Sequence, residues 1–251
     1  MKKLFILLIL LFPCSIYASE FSHIVKTNPE TTLDLVDDFM GGSTETGEVG
    51  KLGWTIAGTN AAISNSGSVP TNNPGIKTLA TEAVINSPAQ LVLGTSVNAT
   101  QIVPDIFDIT YILSLSSVAD ITVRVGLAND WTNLTAATRG VWFVFTTTVT
   151  GQENAGMSVT KWVTVTKNGG SVSYNNTTIA NVGTGIYKLR MVRVGASAID
   201  FYINGVFMFQ HTTNLPSAAV LAGIFVESQA ASTSKSVNID YARIKKSGLS
   251  R

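Results

Sequence analysis

The sequence predicts an all-β protein, built as a two-sheet antiparallel jelly-roll sandwich. Apolar and polar residues alternate over most of the chain, as in "FDITYILSLS" from Phe107 and "DITVRVGL" from Asp120. This alternation is typical of strands with one buried face. No segment shows a helical period. We count about thirteen candidate strands between Leu33 and Ile244, and so many antiparallel strands favour two packed sheets.

The first eighteen residues have the pattern of a secretory signal peptide. Lys2 and Lys3 precede an apolar run at residues 4–12, and the small residue Ala18 closes the segment. The run has about half of the ~20 apolar residues that a spanning helix needs. We therefore expect cleavage near Ala18, a secreted or cell-surface protein, and no membrane span in the mature chain.

The domain limits follow from where the alternation begins and ends. Residues 19–32 are polar and are expected to form a leader, residues 33–246 the sandwich, and residues 247–251 a tail.

The stretch "DDFMGGSTETGEVGKLGW", residues 37–54, has the composition of a phosphate-binding loop but not its spacing. Glu45 occupies the position of the first glycine, Leu52 follows Lys51, and the sequel is strand-like. A phosphate loop needs a helix N-terminus at this point. We therefore expect turns that lead Trp54 into the sandwich.

Three later segments make specific structural predictions. "GVWFVFTTT", from Gly140, is apolar on both faces and predicts a central strand. The pairs Asn168–Gly169 and Asn204–Gly205 each separate two β-rich runs and predict type I′ hairpins, since both turn positions need positive φ.

Several of these segments resemble the concanavalin A-like (laminin G-like) jelly rolls. "YKLRMVRVGASAIDFYINGVFMFQHTTNLP" resembles a set of paired strands in that family, and "VNIDYARI" resembles its closing strand. The opening stretch is similar to the start of such domains in bacteriophage structural and tail proteins. The resemblance covers most of residues 33–246; it is more specific for fold than for function.

Composition excludes several classes of site. Removing Lys2 and Lys3 changes the formal charge from +1 to −1, and 13% of residues are charged, so we expect no nucleic-acid partner. The one cysteine, Cys14, lies within the predicted signal, which leaves the mature chain without a disulfide, a thiol nucleophile or a cysteine metal site. The two histidines, His23 and His211, make no histidine metal motif.

Enzymatic chemistry is not expected. Glycosidases of this fold carry carboxylates on alternate residues of one strand, because two carboxyls must flank a single glycosidic bond, about 5 Å apart for retention. No two of the sixteen Asp and Glu are separated by two positions. The Arg-x-Glu-x-Arg strand that the lyases of this fold share and a G-x-S-x-G elbow are also absent. Carboxylates from separate strands remain an alternative.

A structural calcium ion is the one cofactor that the resemblance implies. The family often binds calcium through an aspartate of the last strand, which here corresponds to Asp240. Calcium prefers six or more oxygen ligands, and the acidic opening stretch offers further ones. The alternative is that Asp240 faces solvent.

A ligand site is predicted in "NDWTN", between two strands. There Trp131 could stack on a sugar ring while Asn129, Asp130 and Asn133 bond its hydroxyls. The alternative is that Trp131 folds back onto the sandwich.

The function expected from the sequence is therefore a non-catalytic binding or adhesion module at or outside the cell surface. Its expected ligand is a carbohydrate, and a protein surface is the other partner considered. The module would bind through loops and one sheet face. The first alternative is a virion structural or tail-associated protein that mediates assembly or host attachment. The second is a glycan-degrading enzyme.

Overall fold

Fifteen strands and no helix make up the part of the chain that the structure, a computed structural model, describes. The described residues are 32–39, 49–50, 52–58, 60–65, 75–94, 106–132, 135–148, 155–179, 181–193 and 195–247. The strands are β1 (Thr32–Asp37), β2 (Trp54–Ala57), β3 (Ala62–Asn65), β4 (Lys77–Ala80), β5 (Pro88–Leu93), β6 (Phe107–Leu115), β7 (Ile121–Ala128), β8 (Gly140–Thr146), β9 (Val163–Asn168), β10 (Ser171–Asn176), β11 (Ile186–Arg193), β12 (Ile199–Ile203), β13 (Val206–His211), β14 (Leu221–Ser228) and β15 (Ser236–Ser247).

The strands form two antiparallel sheets, which confirms the predicted sandwich. The eight-stranded sheet has the order β13-β12-β11-β6-β15-β4-β3, with β1 beside β15. The seven-stranded sheet has the order β10-β9-β8-β7-β14-β5-β2. The structure has two strands more than the roughly thirteen that the sequence predicts; a four-residue strand such as β3 is too short for alternation to be clear. No described segment forms a helix of the length and apolarity that a membrane span requires.

The last strand organises the eight-stranded sheet. β6 pairs with β15 along one side, while β4 and then β1 pair with successive parts of its other side. A β-bulge falls between Ile239 and Tyr241. β1 begins at Thr32 and β15 ends at Ser247, and these two residues are partners, one position outside the predicted limits on each side.

The main core lies between the sheets and contains the alternating residues that the sequence predicts. On β6, Phe107, Ile109 and Tyr111 are at most 2% exposed. The Tyr111 hydroxyl donates to the carbonyl oxygen of Gly126 in the facing sheet, at 3.2 Å. Phe143 and Phe201 meet edge to face across the core, 5.1 Å between centroids.

A second apolar layer covers the outer face of the seven-stranded sheet. We call it the outer cluster; its buried members are Ala128, Trp131, Ala137, Trp142, Val144, Met157, Val163, Val165 and Phe225. All eight residues of β7 are consequently buried, so the expectation that this strand has one buried face is wrong. β8 is buried on both faces and lies between β7 and β9, as predicted for a central strand.

One predicted hairpin turn is confirmed and the other is shifted by one residue. Asn204 and Gly205 have φ of 52° and 81° and connect β12 to β13. In the β9–β10 hairpin the turn residues are Gly169 and Gly170, with φ of 59° and 87°, while Asn168 pairs with Ser171. Two glycines take positive φ without a Cβ penalty, so Gly-Gly displaces Asn-Gly from the turn.

Candidate functional site

A groove on the outer face of the seven-stranded sheet is the candidate site. Its volume is about 370 Å³. Its floor comes from β2 and β5, and its wall from the residues that follow β7. The lining residues are Thr55, Ala57, Gln90, Val92, Gly94, Asn129, Asp130, Trp131, Thr132 and Leu221. The floor residues Thr55 and Ala57 pair with Val92 and Gln90, so all four share the face that points away from the core.

Polar side chains in the wall of the groove make hydrogen bonds that stabilise its conformation. The Asn129 Oδ1 accepts the backbone N–H groups of Thr138 and Arg139, at 3.0 and 2.8 Å. The Asp130 Oδ1 accepts both the N–H and the hydroxyl of Thr132, at 2.7 and 2.6 Å. These bonds hold the described residues on both sides of the β7–β8 connection in place, so the groove wall has a defined conformation before a ligand binds.

Trp131 lines the groove but is packed into the sheet. It is 3% exposed. Its indole N–H donates to the carbonyl oxygen of Leu221 at 3.1 Å. A Cβ on Gly223 would lie 2.6 Å from the Trp131 Cε2 atom, so the ring rests directly on the glycine backbone. Trp131 is therefore folded back onto the sandwich, the second of the two predicted arrangements. Its buried ring is not free to stack on a sugar.

Arg124 is buried next to the wall and stabilises it. It was not among the site residues predicted from the sequence. Its side chain is fully buried, and its guanidinium carbon lies 4.7 Å from the Trp131 ring centroid, 5.1 Å from that of Trp142 and 5.4 Å from that of Phe225. The Nη2 donates to the carbonyl oxygen of Asp130 at 3.1 Å. A lone arginine in an otherwise apolar strand was the available signal, since such a cation needs partners once buried.

Gln90 links the floor to the wall. Its Nε2 donates to the carbonyl oxygen of Thr132 at 3.3 Å. The groove thus combines apolar lining residues, Val92, Trp131 and Leu221, with residues that carry hydroxyl, amide and carboxylate groups. That mixture suits a ligand with one apolar face and several hydroxyls.

A second, polar cleft of about 360 Å³ lies between β10 and β13, the edge strands of the two sheets. His211 lines it, 2% exposed, with its Nε2 2.9 Å from the Thr164 Oγ1. The ring meets Phe201 and Phe209 edge-on, at 5.3 and 4.8 Å between centroids. Burial lowers the pKa of His211 to about 4, so its ring is neutral at physiological pH.

Asp37, from the acidic opening stretch, is a buried structural carboxylate. Its Oδ1 accepts the N–H of Phe39 at 2.8 Å, and its Oδ2 accepts the N–H of Leu52 and the indole N–H of Trp54, each at 3.1 Å. Gly50 packs directly against this carboxylate, where a Cβ would collide with it. The described ends of the stretch thus close on each other before β2; residues 40–48 and Lys51 lie outside the described part.

Asp240 is exposed beside the bulge of β15, on the sheet that does not carry the groove. Within the described ranges, no three His, Cys, Asp or Glu side chains gather as a metal site would require. The further ligands were expected from the acidic opening stretch, most of which lies outside those ranges. Calcium at Asp240 therefore stays a prediction.

The structure brings three of the five predicted site residues together. Asn129, Asp130 and Trp131 line one groove, Asp240 lies on the other sheet, and Asn133 is outside the described residues. Sequence reasoning missed the floor, formed by Thr55, Gln90 and Val92, because these residues come from strands far away in the chain.

Comparisons with known proteins find likeness in structure but not in sequence. No family model matches the chain, and no curated protein gives a significant match.

Solved structures with the same architecture include a carbohydrate recognition domain and a glycosidic hydrolase. The carbohydrate recognition domain of Emp47p superposes with a TM-score of 0.54 at 12% identity, covering 86% of this chain and 95% of that one. A native glycosidic hydrolase gives 0.56 at 12% identity, covering 86% and 97%. A protein of unknown function from Shewanella oneidensis MR-1 gives 0.57 at 12% identity, covering 88% and 90%. The chain therefore has the concanavalin A-like jelly-roll fold.

Proposed function

We propose that this protein is a non-catalytic carbohydrate-binding module that takes a sugar in the groove beside the β7–β8 connection. In this proposal it acts outside the cytoplasm, after removal of residues 1–18. The observation that carries the proposal is the groove itself, whose lining combines the apolar residues Val92, Trp131 and Leu221 with the polar residues Thr55, Gln90 and Asp130.

The size of the groove supports a small glycan. Ligand pockets in proteins commonly measure about 300–1,000 Å³, and about 370 Å³ lies near the lower limit. The ligand we propose is therefore one sugar ring of a larger glycan, with the remaining rings in solvent.

The rigidity of the wall also supports binding. The side chains of Asn129 and Asp130 accept hydrogen bonds from backbone N–H groups of the β7–β8 connection. Arg124 donates a hydrogen bond to the Asp130 carbonyl oxygen. A preformed wall lowers the ordering cost that a ligand must offset.

Non-covalent recognition is the chemistry that the lining supports best. A carboxylate-pair glycosidase needs two carboxyls between about 5 and 9.5 Å apart. Among the described lining residues, Asp130 is the one carboxylate. Glu227, on the outer face of β14, has a pKa raised by burial, but it is outside the groove lining and accepts a bond from the Gln229 amide at 2.7 Å.

The proposal is tested by filling the groove rather than by deleting its parts. Trp131→Ala would unpack the outer cluster, whereas Ala57 is exposed on the floor, so Ala57→Trp adds volume without removing a contact. Ala62→Trp is the matched control, because Ala62 is exposed on β3 of the other sheet. On a glycan array we expect the wild type and Ala62→Trp to bind the same glycans and Ala57→Trp to lose at least tenfold in affinity. Equal binding by all three forms, or no glycan bound by any, would overturn the proposal.

A further inference from the structure

The chain contains two Asn–Gly pairs, Asn168–Gly169 and Asn204–Gly205, and both lie at hairpin turns. An Asn–Gly pair is open to an internal reaction, because glycine has no side chain to keep its backbone nitrogen away from the asparagine side chain before it. The two pairs share this local chemistry, so a difference in their reactivity has to come from the fold around them.

The reaction is deamidation through a cyclic imide. The backbone nitrogen of the glycine loses its proton and attacks the Cγ atom of the asparagine. A carbon–nitrogen bond forms there, and the bond from Cγ to the side-chain nitrogen breaks, so that ammonia leaves. Water then opens the ring at one of its two carbonyl carbons. The product is either aspartate or isoaspartate, in which the main chain runs through the side-chain carboxyl; no oxidant, reductant or cofactor takes part.

Asn204 is held in a conformation that opposes this attack. Its φ of 52° is left-handed, and in that conformation Cβ and the following nitrogen lie nearly opposite each other about the Cα–C bond, about 170° apart. Its backbone N–H donates to the carbonyl oxygen of Lys188, and its Oδ1 accepts the Lys188 N–H, each at 2.8 Å. The side chain therefore has to leave Lys188, and the turn has to rotate, before Gly205 can attack.

Asn168 is held less firmly. It is the last residue of β9 and pairs with Ser171, and in an extended strand Cβ and the following nitrogen are about 105° apart. Its Oδ1 accepts a hydrogen bond from the Ser217 hydroxyl at 3.2 Å. That bond draws electron density away from Cγ, which makes the carbon easier to attack. Gly169 is exposed, and no atom lies within 4 Å of its Cβ position, so the ring has room to form.

We propose that Asn168 is a deamidation site of the folded protein and that Asn204 is protected. Exposure alone would rank them the other way, because Asn204 is exposed and Asn168 is half-buried. Both turns border edge strands, β10 and β13, so fraying of a sheet edge does not distinguish them. The distinction comes from the backbone conformation of Asn204 and from its two hydrogen bonds with Lys188.

The proposed site is connected to the wall of the groove. Gly170 donates its N–H to the carbonyl oxygen of Thr138 at 3.2 Å. Thr138 donates its N–H to the Asn129 Oδ1 at 3.0 Å, and its Oγ1 accepts the Asn129 Nδ2 at 3.2 Å. Isoaspartate at position 168 would add a main-chain carbon and a negative charge just before this turn. The modification should therefore weaken the Gly170–Thr138 bond, whatever the groove binds.

The first test follows both sites in one sample. The purified protein is kept in a mildly alkaline buffer made with ¹⁸O-water, and a protease that cleaves after lysine releases residues 168–188 and 189–235. Mass spectrometry with fragmentation measures the ¹⁸O-labelled product at each asparagine. We expect product to form about tenfold faster at Asn168 than at Asn204, the effect of roughly one hydrogen bond, and to contain both isoaspartate and aspartate.

The unfolded chain is the reference for this comparison. In urea both pairs lose their surroundings, so Asn168 and Asn204 should deamidate at similar rates. A difference that is present in the folded protein and absent in urea arises from the fold.

Hydrogen exchange tests the connection to the groove wall. The Gly170 amide should exchange faster in the aged wild type than in the fresh protein. Asn168→Gln is the matched control, because its longer side chain would have to close a larger ring, which forms more slowly; ageing should leave its Gly170 exchange unchanged. Asn204→Gln should age like the wild type.

Equal rates at Asn168 and Asn204 in the folded protein, or a faster reaction at Asn204, would overturn the assignment. So would a folded protein that forms product at neither site while both react in urea. Equal Gly170 exchange in fresh and in aged wild type would overturn the connection to the groove wall.

Discussion

The guanidinium of Arg124 lies 4.7 Å from the ring centroid of Trp131, and both side chains are buried on the outer face of the seven-stranded sheet. A buried cation stacked on aromatic rings is stabilised by their electron-rich faces. Because Arg124 also donates to the Asp130 carbonyl, one side chain joins the sheet, the Trp131 ring and the groove wall.

We predict that Arg124→Lys lowers the free energy of unfolding by about 2 kcal/mol, the magnitude of a lost hydrogen bond to a charged group. A lysine keeps the charge but cannot both lie flat between the rings and donate to the wall. Urea denaturation measures the change. The control is Arg243→Lys, at the partly exposed Arg243–Asp34 pair on the other sheet, where the expected loss is under about 1 kcal/mol. Equal losses for the two variants would show that the stacked geometry of Arg124 has no special role.

Gly223→Ala is predicted to displace Trp131. The added Cβ would lie 2.6 Å from the ring, so the indole must shift, at a cost of about 1–3 kcal/mol in stability. The Trp131 bond to Leu221 should weaken with it, and affinity for any groove ligand should fall. Gly185→Ala is the control, because no atom lies within 4 Å of its Cβ position. Equal melting temperatures of the two variants in calorimetry would contradict the close contact between Gly223 and Trp131.

Acid should destabilise the protein through His211. Burial holds its pKa at about 4 in the folded state, below its ordinary value of 6.5, so the unfolded chain takes up the proton first. The contribution of His211 to stability is therefore complete above about pH 6.5 and declines as the pH falls toward 4. Its upper limit is about 3 kcal/mol, from 1.36 kcal/mol per pKa unit.

The comparison that isolates this effect is with His211→Gln, which keeps a polar partner for Thr164. The wild type should lose more stability than His211→Gln between pH 6.5 and 4 in urea titrations. Parallel pH profiles for the two proteins would mean that the histidine titrates normally.

Calcium at Asp240 predicts a metal-dependent melting temperature. A site filled to 100 times its dissociation constant adds about 2.7 kcal/mol, which corresponds to roughly 5–10 °C for a domain of this size. We expect 1 mM calcium to raise the melting temperature above that in EDTA, and Asp240→Asn to abolish the difference while Asp200→Asn preserves it. Identical melting of the wild type with calcium and with EDTA would refute the calcium prediction.

The sequence predicted those features that depend on local chemistry. The Asn204–Gly205 turn follows from two adjacent residues that tolerate positive φ, and the core face of β6 follows from its alternation. The shift of the other hairpin to Gly169–Gly170 shows the limit of this reasoning, because three successive residues all suited the turn and the competition among them is decided by small energy differences.

The features that the sequence could not predict depend on residues that are distant from one another in the chain. Trp131 is buried because Gly223, 92 positions later, leaves room for its ring. Arg124 was expected on an open face, and it is buried because loops cover the outer face of the seven-stranded sheet. The groove floor pairs Thr55 with Val92, a register that no local pattern specifies.

The central claim is that the groove beside Trp131 binds a sugar, and chemical-shift mapping of the ¹⁵N-labelled chain with the best array glycan tests it most directly. We predict that the amide signals that shift are those of Val92, Gly94 and Thr132, around the groove, and that Ala57→Trp suppresses these shifts. Shifts confined to Ser173 and Thr213, at the cleft between β10 and β13, would contradict the claim and assign binding to the other side of the sandwich.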